Sequence, residues 1–365
     1  MSTLLFLLAM TFFYAIIMLA VPDAPQQCIA NCELKDVILM RVKTRLLKLL
    51  ENNHGVYVSG SELASELSVS RNAVWKAVES LRTDGYEISA ITNKGYRLLD
   101  RGDIISEVSI AAHIKNEGVF HFDIRKSVTS SNTLLRELAV KGAPEGTVIV
   151  AEEQTAGKGR MGRAFHSPAG HGVYFSLLLR PGPKTNEAAL ITAAAAVATA
   201  RAIEEVFGVR VGIKWVNDLY LDEKKVCGIL TNATFDMENS LMESAVLGIG
   251  VNVTTPEHGY PEGIEAVAAA ITDRLIGKNG ERCRLIAATL DSFWGFYNEL
   301  SARRFLDEYR ARSILLGRDI YVLSQEGKQP ARALEIDDEC RLVVRFDNGE
   351  VAAIGSGEVS IRART

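Results

Sequence analysis

Apolar and polar positions between residues 40 and 101 follow helical spacing three times and then alternate. Ser59 followed by Glu62 is a capping-box pattern that opens a second helix, and Ser70 can cap a third. Residues 86–99, YEISAITNKGYRLL, alternate like a hairpin with N-K-G at its tip. The first helix is predicted by an apolar face of Val42, Leu46, Leu49 and Leu50. Three helices and a β-ribbon predict a winged helix-turn-helix.

The third predicted helix carries Arg71, Asn72 and Lys76 near its start, where recognition helices read base edges. Arginine and asparagine can each make two hydrogen bonds to one base. Lys94 and Arg97 in the wing are candidates for phosphate contacts. Residues 40–100 contain nine Lys and Arg against seven Asp and Glu. Such a small excess of positive charge predicts that one copy of the segment binds DNA with modest affinity. We therefore expect a dimer that binds two half-sites. The alternative is a helical interaction domain that never contacts DNA.

Residues 102–315 mix buried strands with long helices. GTVIVAEE, VYFSLLLR and SAVLGIGVNV read as strands, and EAALITAAAAVATARAIEEVF reads as a helix that ends at Gly208. IKWVNDLYLDEKKVCGIL predicts two strands around a polar turn, and residues 284–313 predict helix. From Leu316 to the end, short strands with tight turns, including Asp-Asn-Gly at 347–349, predict a small β-barrel at 316–365. The fold class is therefore α+β and multidomain.

Residues 1–39 form an apolar extension, and the stretch at 4–21 is long enough to span a bilayer. No Lys or Arg precedes it, so it lacks the charged start of a secretory signal. Three hypotheses stay open: a membrane tether, a cleaved signal, or an upstream stretch with translation beginning at Met40. We expect the third, since the rest of the chain reads as a cytoplasmic protein.

The composition limits how the chain could bind nucleic acid and whether its cysteines form disulfide bonds. The net charge of −4 implies that any contact with nucleic acid comes from a local basic patch. The five cysteines are odd in number and scattered, which argues against a disulfide framework. Cys227 lies in an apolar run and reads as a small core residue.

The segment TAGKGRMGRAFHSP, residues 155–168, contains glycines in the spacing G-x-G-x-x-G. A dinucleotide-binding loop would open a helix, but Pro168, Gly170 and Gly172 follow, and then a strand. A phosphate-binding P-loop is also excluded, because no G-x-x-x-x-G-K-[ST] occurs. The segment is therefore a basic, glycine-rich loop between two strands, and a mobile surface loop without function is the alternative.

Together, GKGRMGRAFHSP and KWVNDLYLDEKKVCGIL resemble the bifunctional biotin protein ligases that also act as biotin-operon repressors. The resemblance covers residues 40–365. It implies a winged helix-turn-helix at 40–101, a mixed-sheet ligase domain of the class II synthetase type at 102–315, and an SH3-like barrel at 316–365. It also implies ATP, biotin and Mg²⁺ as ligands, with a biotin carboxyl carrier domain and operator DNA as partners. A homodimer would form when biotinyl-5′-AMP orders the loop.

The resemblance also assigns residues. Lys214 and Arg160 are the expected catalytic cations. The expected biotin contacts are Ser130, Ser131, Asn132, Gln154, Lys158, Gly159, Arg160 and Lys214. The expected nucleotide contacts are Gly157, Arg163, Phe165, Asn217, Asp218, Lys225, Asn252, Glu358 and Arg362. The expected DNA contacts are Arg71, Asn72, Lys76 and Lys94. No residue is assigned as a resident metal ligand, and His166 and His171 are given no role.

Three positions depart from the family pattern. Lys158 stands where the family often has arginine, and lysine lacks the bidentate fork. Phe165 replaces a frequent tryptophan, and Val216 replaces a frequent proline. None of these changes removes a required chemical group. The alternatives are a lipoate or octanoate ligase, and a biotin sensor without ligase activity.

Overall fold

The described chain divides into two compact units. A computed structural model describes residues 26–100, 103–181, 188–236, 241–273, 280–324, 327–355 and 358–361. The first unit extends to Asp84 and includes Ile88–Leu98, and the second contains Gly85–Glu87 and the chain from Leu99 onward. No helix in these ranges is both long and apolar enough for a membrane span. Residues 4–21, the apolar stretch long enough to span a bilayer, lie outside the described residues.

The first unit has the predicted three helices and ribbon. The N–H of Glu62 donates to Ser59 Oγ at 3.1 Å, and the N–H of Ala73 donates to Ser70 Oγ at 3.2 Å, so both predicted caps are confirmed. Asn93 takes a left-handed conformation at the hairpin tip (φ 67°). The elements are α1 (Gln26–Asn52), α2 (Gly60–Leu67), α3 (Arg71–Thr83), β1 (Glu87–Ile91) and β2 (Gly95–Asp100).

Helix α1 starts earlier than the apolar pattern predicts. It runs without interruption from Gln26 to Asn52 and so crosses residue 40. Its buried side chains include Leu46, Leu47 and Leu50, which belong to the apolar face predicted for the first helix or lie next to it. The pattern locates the packed part of the helix, because only a face that is buried has to be apolar.

A seven-stranded mixed sheet is the frame of the second unit. Its strand order is β3-β4-β5-β9-β8-β7-β6, with β3 and β4 parallel and all other pairs antiparallel. The strands are β3 (His121–Val128), β4 (Thr147–Gln154), β5 (Gly172–Leu179), β6 (Gly212–Lys214), β7 (Asp218–Leu221), β8 (Lys224–Asp236) and β9 (Leu241–Asn252). The segment predicted as two strands thus holds three, because the short β6 pairs with β7 before β8 begins.

Helices cover both faces of this sheet. Val148 and Val150 of β4 point to a core shared with α6 and α7, whereas Ile149 points to the opposite core under α5. Helix α6 buries a run of alanines, whose small side chains permit close packing against the sheet and α7. The helices are α4 (Glu107–His113), α5 (Ser131–Val140), α6 (Ala188–Phe207), α7 (Glu281–Asn298) and α8 (Leu306–Ala311). The helical prediction for 284–313 is confirmed in part, since a 3₁₀ turn and irregular residues separate α7 from α8.

A five-stranded antiparallel sheet ends the chain, in the order β13-β12-β11-β10-β14. The predicted hairpin at 347–349 joins β12 to β13, and Gly349 supplies the positive φ that its turn requires. Trp215, in the turn between β6 and β7, donates from Nε1 to the carbonyl of Cys340 at 2.8 Å. The strands are β10 (Asp319–Ser324), β11 (Gly327–Ile336), β12 (Leu342–Phe346), β13 (Val351–Ile354) and β14 (Glu358–Ile361).

Replacing Phe293 with alanine tests the packing of α7. Phe293 is buried and stacks on Tyr297 with ring centroids 5.8 Å apart. We expect Phe293→Ala to lower the free energy of unfolding by about 3–5 kcal/mol, since it removes apolar contacts and leaves a cavity. The measurement is urea unfolding followed by tryptophan fluorescence. The control is Val140→Ala, because Val140 is 90% exposed, and it should change the value by less than about 0.5 kcal/mol. Equal midpoints for both variants would contradict this account of the core.

Candidate functional site

One cavity of about 400 Å³ gathers most of the predicted site residues of the second unit. Its walls come from the start of α5, the loop between β4 and β5, the β6–β7 turn, and strands β8 and β9. The predicted residues that line it are Ser130, Ser131, Asn132, Gln154, Lys158, Gly159, Arg160, Arg163, Phe165, Lys214, Asn217, Asp218, Lys225 and Asn252. Segments far apart in the chain therefore converge on one volume.

One part of the cavity is a network of buried polar side chains at the start of α5. Gln154 Oε1 accepts from the backbone N–H of Ser131 at 2.9 Å and from Ser131 Oγ at 3.0 Å. The Ser131 hydroxyl also bonds to the hydroxyl of Ser176 at 2.8 Å. Ser130 caps the helix by accepting from Thr133 N–H at 3.4 Å. The network fixes hydroxyl and amide groups beside the cavity before a ligand arrives.

The glycine-rich loop folds back on itself as a small hairpin. Phe165 N–H donates to the Gly157 carbonyl at 2.8 Å, and Gly159 N–H donates to the Arg163 carbonyl at 2.7 Å. Gly157 does not line the cavity. A Cβ there would lie 2.4 Å from the Phe165 carbonyl oxygen, so the fold of the loop requires glycine. Lys158, Arg160 and Arg163 all line the cavity.

Two predicted residues are placed by the turn between β6 and β7. Lys214 ends β6 and Asp218 starts β7, and the two are paired across the hairpin. The turn is held from outside, since the Tyr309 hydroxyl donates to the Val216 carbonyl at 2.9 Å and Trp215 is also hydrogen-bonded. The turn therefore presents Lys214 to the cavity from a rigid support.

Neighbouring polar groups orient the cations. Arg160 Nη1 donates to Asn217 Oδ1 at 3.1 Å, and Asn217 Nδ2 donates in turn to the Ile229 carbonyl at 2.7 Å. Lys214 Nζ lies 3.4 Å from the Tyr220 hydroxyl, to which it donates. These contacts fix the direction in which the two cationic side chains enter the cavity.

Lys225 and Phe165 form a different wall. Lys225 Nζ lies 2.7 Å from Asp218 Oδ1 and 5.9 Å from the centre of the Phe165 ring. The ring also rests over Gly250, where a Cβ would come within 2.5 Å of a ring carbon. A glycine in β9 thus makes room for an aromatic face beside a cation.

The cavity is positive although the chain as a whole is negative. Among the described lining residues there are five Lys and Arg side chains and one carboxylate, that of Asp218. Burial raises the pKa of the Cys227 thiol, which stays protonated and behaves as the core residue predicted. Burial, followed by the nearby Asp273 charge, raises the pKa of Tyr260 to about 12, so this lining hydroxyl is neutral at physiological pH. The arrangement can hold two anionic groups close together.

Other lining residues went unrecognised in the sequence. Ser176 and Tyr220 lie in apolar strands, where the alternation gave no reason to separate them from the core. His166 lines the cavity although it was given no role, whereas His171 bonds to Thr254 at 3.1 Å and does not line it. His166 could have been predicted to line the cavity from its position next to the basic glycine-rich loop.

The side chains of two predicted nucleotide contacts, Glu358 and Arg362, are not among those described. Arg362 lies outside the described residues. The backbone of Glu358 starts β14 opposite Leu323 of β10, and its neighbour Val359 lines the cavity. The C-terminal sheet therefore contributes to the same site.

In the first unit, taken by itself, the predicted DNA contacts share one helix face and the wing. Arg71, Asn72 and Lys76 are exposed on α3, and Lys94 is exposed at the hairpin. Arg97 stacks over Tyr57 at 4.6 Å from the ring centre, so it is held against the unit. The opposite face of α3 packs into the core of the unit.

Comparisons with known proteins agree with this arrangement. Residues 124–252 match the biotin/lipoate A/B protein ligase family, and residues 42–97 match a helix-turn-helix domain. The chain is 33% identical over 320 residues to the bifunctional ligase/repressor BirA of Bacillus subtilis, which covers 87% of this chain and 97% of that protein. It is 29% identical over 212 residues to the Escherichia coli protein of the same name, covering 58% of this chain and 64% of that protein.

The fold is also similar to a solved structure. That structure is a biotin protein ligase from Aquifex aeolicus in complex with biotin and ATP, which matches with a TM-score of 0.56 and 26% identity. It covers 67% of this chain and 99% of that chain.

Gly157→Ala tests the loop geometry. The added Cβ would meet a backbone oxygen, which cannot move without opening the Gly157–Phe165 hydrogen bond. We expect trypsin to cut faster at Arg160 and Arg163 in this variant, measured by mass spectrometry of the native digest. The matched control is Gly159→Ala, whose Cβ would meet nothing closer than 3.4 Å. Equal cutting rates in the two variants would show that the loop does not depend on this hairpin.

Proposed function

The chain belongs to the family of bifunctional biotin protein ligases and repressors, and we propose that it biotinylates a carrier protein and binds operator DNA in response to biotin. The observation that carries the ligase activity is the cavity, in which fixed polar groups at one end adjoin a cluster of cations. The helix-turn-helix match supports the second activity.

The reaction has two steps. A carboxylate oxygen of biotin forms a bond to the α-phosphorus of ATP, and the bond to the bridging oxygen breaks, releasing pyrophosphate. A lysine amine of the carrier domain then attacks the carbonyl carbon of biotinyl-5′-AMP, which gives an amide, AMP and a proton. Both substrates of the first step are anions, so cations must screen them and stabilise the charge of the transition state.

The positions of the lining residues support one subsite for biotin and another for the nucleotide. Ser130, Ser131, Asn132 and Gln154 form the polar end and bind the ureido ring of biotin. Lys214, on its anchored turn, contacts the carboxylate and α-phosphate and is the main catalytic cation. Arg160 joins it from the loop, next to Lys158 and Gly159.

The nucleotide occupies the opposite wall. Phe165 packs against the adenine, while Lys225, Asn217, Asn252 and Arg163 contact the nucleotide. Gly157 shapes the loop, and Glu358 and Arg362 approach from the C-terminal sheet. Ligand closes the loop, which keeps water from the mixed anhydride.

Mg²⁺ enters with the nucleotide. Among the described residues, no group of three His, Cys, Asp or Glu side chains forms a metal site of its own. The one carboxylate in the described lining, Asp218, fits an ion that takes most of its ligands from phosphates and water. Asp218 would hold the ion, and the ion would supply charge neutralisation of the phosphates.

The finer architecture follows the family. We propose domain boundaries at 40–101, 102–315 and 316–365. The central domain has the class II synthetase arrangement, and the C-terminal strands curl into an SH3-like barrel. The protein is cytoplasmic. Biotinyl-5′-AMP promotes a homodimer, which binds a two-fold operator through Arg71, Asn72, Lys76 and Lys94.

ATP–pyrophosphate exchange by the full chain tests the ligase activity. We expect exchange with biotin and none with lipoate. Lys214→Ala should lower kcat about 10²–10³-fold, as loss of one transition-state contact does elsewhere. The matched control is Lys224→Ala, since Lys224 is exposed and does not line the cavity. Exchange with lipoate would overturn the biotin assignment. No exchange with either acid would leave a biotin sensor.

DNA binding is tested with a duplex selected from random sequences by the full chain in biotin and ATP. Arg71→Ala should weaken binding to that duplex by about 1–3 kcal/mol, because it removes a base contact. Lys48→Ala, an equal charge change at an exposed site of α1, is the control. Omitting biotin should also weaken binding, by about 5–150-fold. The coupling is wrong if affinity is the same with and without biotin and ATP.

A further inference from the structure

A buried arginine outside the cavity joins three segments of the second unit. Arg282 is the second residue of α7, and its side chain is 2% exposed. It forms ion pairs with Asp103 and with Glu152, the latter at 2.7 Å. Its Nη1 also donates to the Gly172 carbonyl at 3.3 Å. Buried ion pairs are often no more stabilising than apolar packing, so stability alone gives a weak reason for this group.

Two of these contacts lie at the two ends of the ligand loop, residues 155–171. Glu152 precedes Gln154 by two residues on β4, and its Oε1 accepts from the Gly170 N–H at 3.0 Å. Gly172 starts β5, the strand that follows the loop. Arg282 therefore holds the strand that enters the loop and the strand that leaves it.

The third contact is with the linker segment 103–106, which leads into α4. Besides the ion pair, Arg282 Nη2 donates to the Asp103 carbonyl at 2.8 Å. The adjacent Cys283 donates from Sγ to the Ile104 carbonyl at 3.3 Å. Asp103 follows β2 of the helix-turn-helix ribbon by three residues in the chain. The start of α7 thus fixes the segment through which the chain enters the second unit.

We propose that Arg282 is a positioning residue that holds the base of the ligand loop and couples that loop to linker segment 103–106. One guanidinium serves all three segments, so a change at either end of the loop alters the hydrogen bonds that hold the linker. The inference rests on the proposed function, in which biotin and ATP close the loop. Through these contacts, ligand binding at the loop would affect the segment that follows the DNA-binding unit in the sequence.

Hydrogen exchange of the full chain, followed by mass spectrometry with and without biotin plus ATP, tests the coupling. In the unaltered chain we expect ligand to slow exchange in peptides from the loop and in peptides covering 103–113. Asp103→Asn should keep the loop response, since the Glu152 and Gly172 contacts remain. It should weaken the linker response, since it removes the ion pair while the main-chain bond to Asp103 stays. The matched control is Asp338→Asn, which removes an ion pair with Arg310 far along the chain, and it should keep both responses.

Steady-state kinetics of ATP–pyrophosphate exchange provide a second measurement, which would not change if Arg282 only stabilised the fold. Arg282→Lys keeps the charge but loses the fork, so it should raise the KM for biotin about tenfold through a misplaced loop base. Its kcat should stay within about twofold, because Lys214 and its turn are untouched. Asp103→Asn should leave both constants within about twofold, since it spares the loop base.

The outcomes separate the inference from the function. An unaltered chain with neither exchange activity nor a loop response would overturn the proposed function, and this inference with it. An active chain whose Asp103→Asn variant keeps the full linker response would overturn the coupling alone. Loss of the linker response in Asp338→Asn as well would also overturn it, because the effect would not be specific. Should Arg282→Lys fail to fold, the comparison of the two aspartate variants still decides.

Discussion

Repulsion between two anions is the constraint on which the arrangement of the second unit depends. A carboxylate and a triphosphate approach each other only where cations outnumber acids, and the whole chain carries a net charge of −4. The positive charge is therefore concentrated in one cavity, from the loop, the end of β6 and the start of β8. Asp218 offsets part of it by pairing with Lys225, while Arg160 donates to Asn217 and Lys214 donates to Tyr220.

The two main cations of the cavity stand on different supports. Lys214 stands on a turn held by Tyr309 and Trp215, so its position is set by the fold before ligand arrives. Arg160 stands on the glycine-rich loop, which in the proposed function closes after the substrates have entered. A fixed cation lowers the reorganisation that the transition state requires. Closure of the loop then excludes water from the mixed anhydride.

Local patterns predicted the elements better than they predicted the site. The caps at Ser59 and Ser70 and the long helix α6 follow from residues close together in the chain. Strand β6 was missed because three residues are too few to show a period. Ser176 was missed because a buried serine in an apolar strand looks like core, and its partner Ser131 lies 45 residues away. Arg282 pairs with Asp103 across 179 residues. The cavity itself was predictable only through the resemblance, since spacing alone left the glycine loop without a function.

Lys158 shows how far the departure from the family pattern extends. The loop hairpin is made by backbone bonds, with residue 158 paired to Ala164 through the main chain. A lysine in place of arginine therefore leaves the fold of the loop intact. In the proposed function, lysine changes the contact with ligand instead, because an ammonium is a single strongly hydrated charge without a planar fork. We expect the effect to fall on retention of the adenylate, on which the proposed biotin response depends.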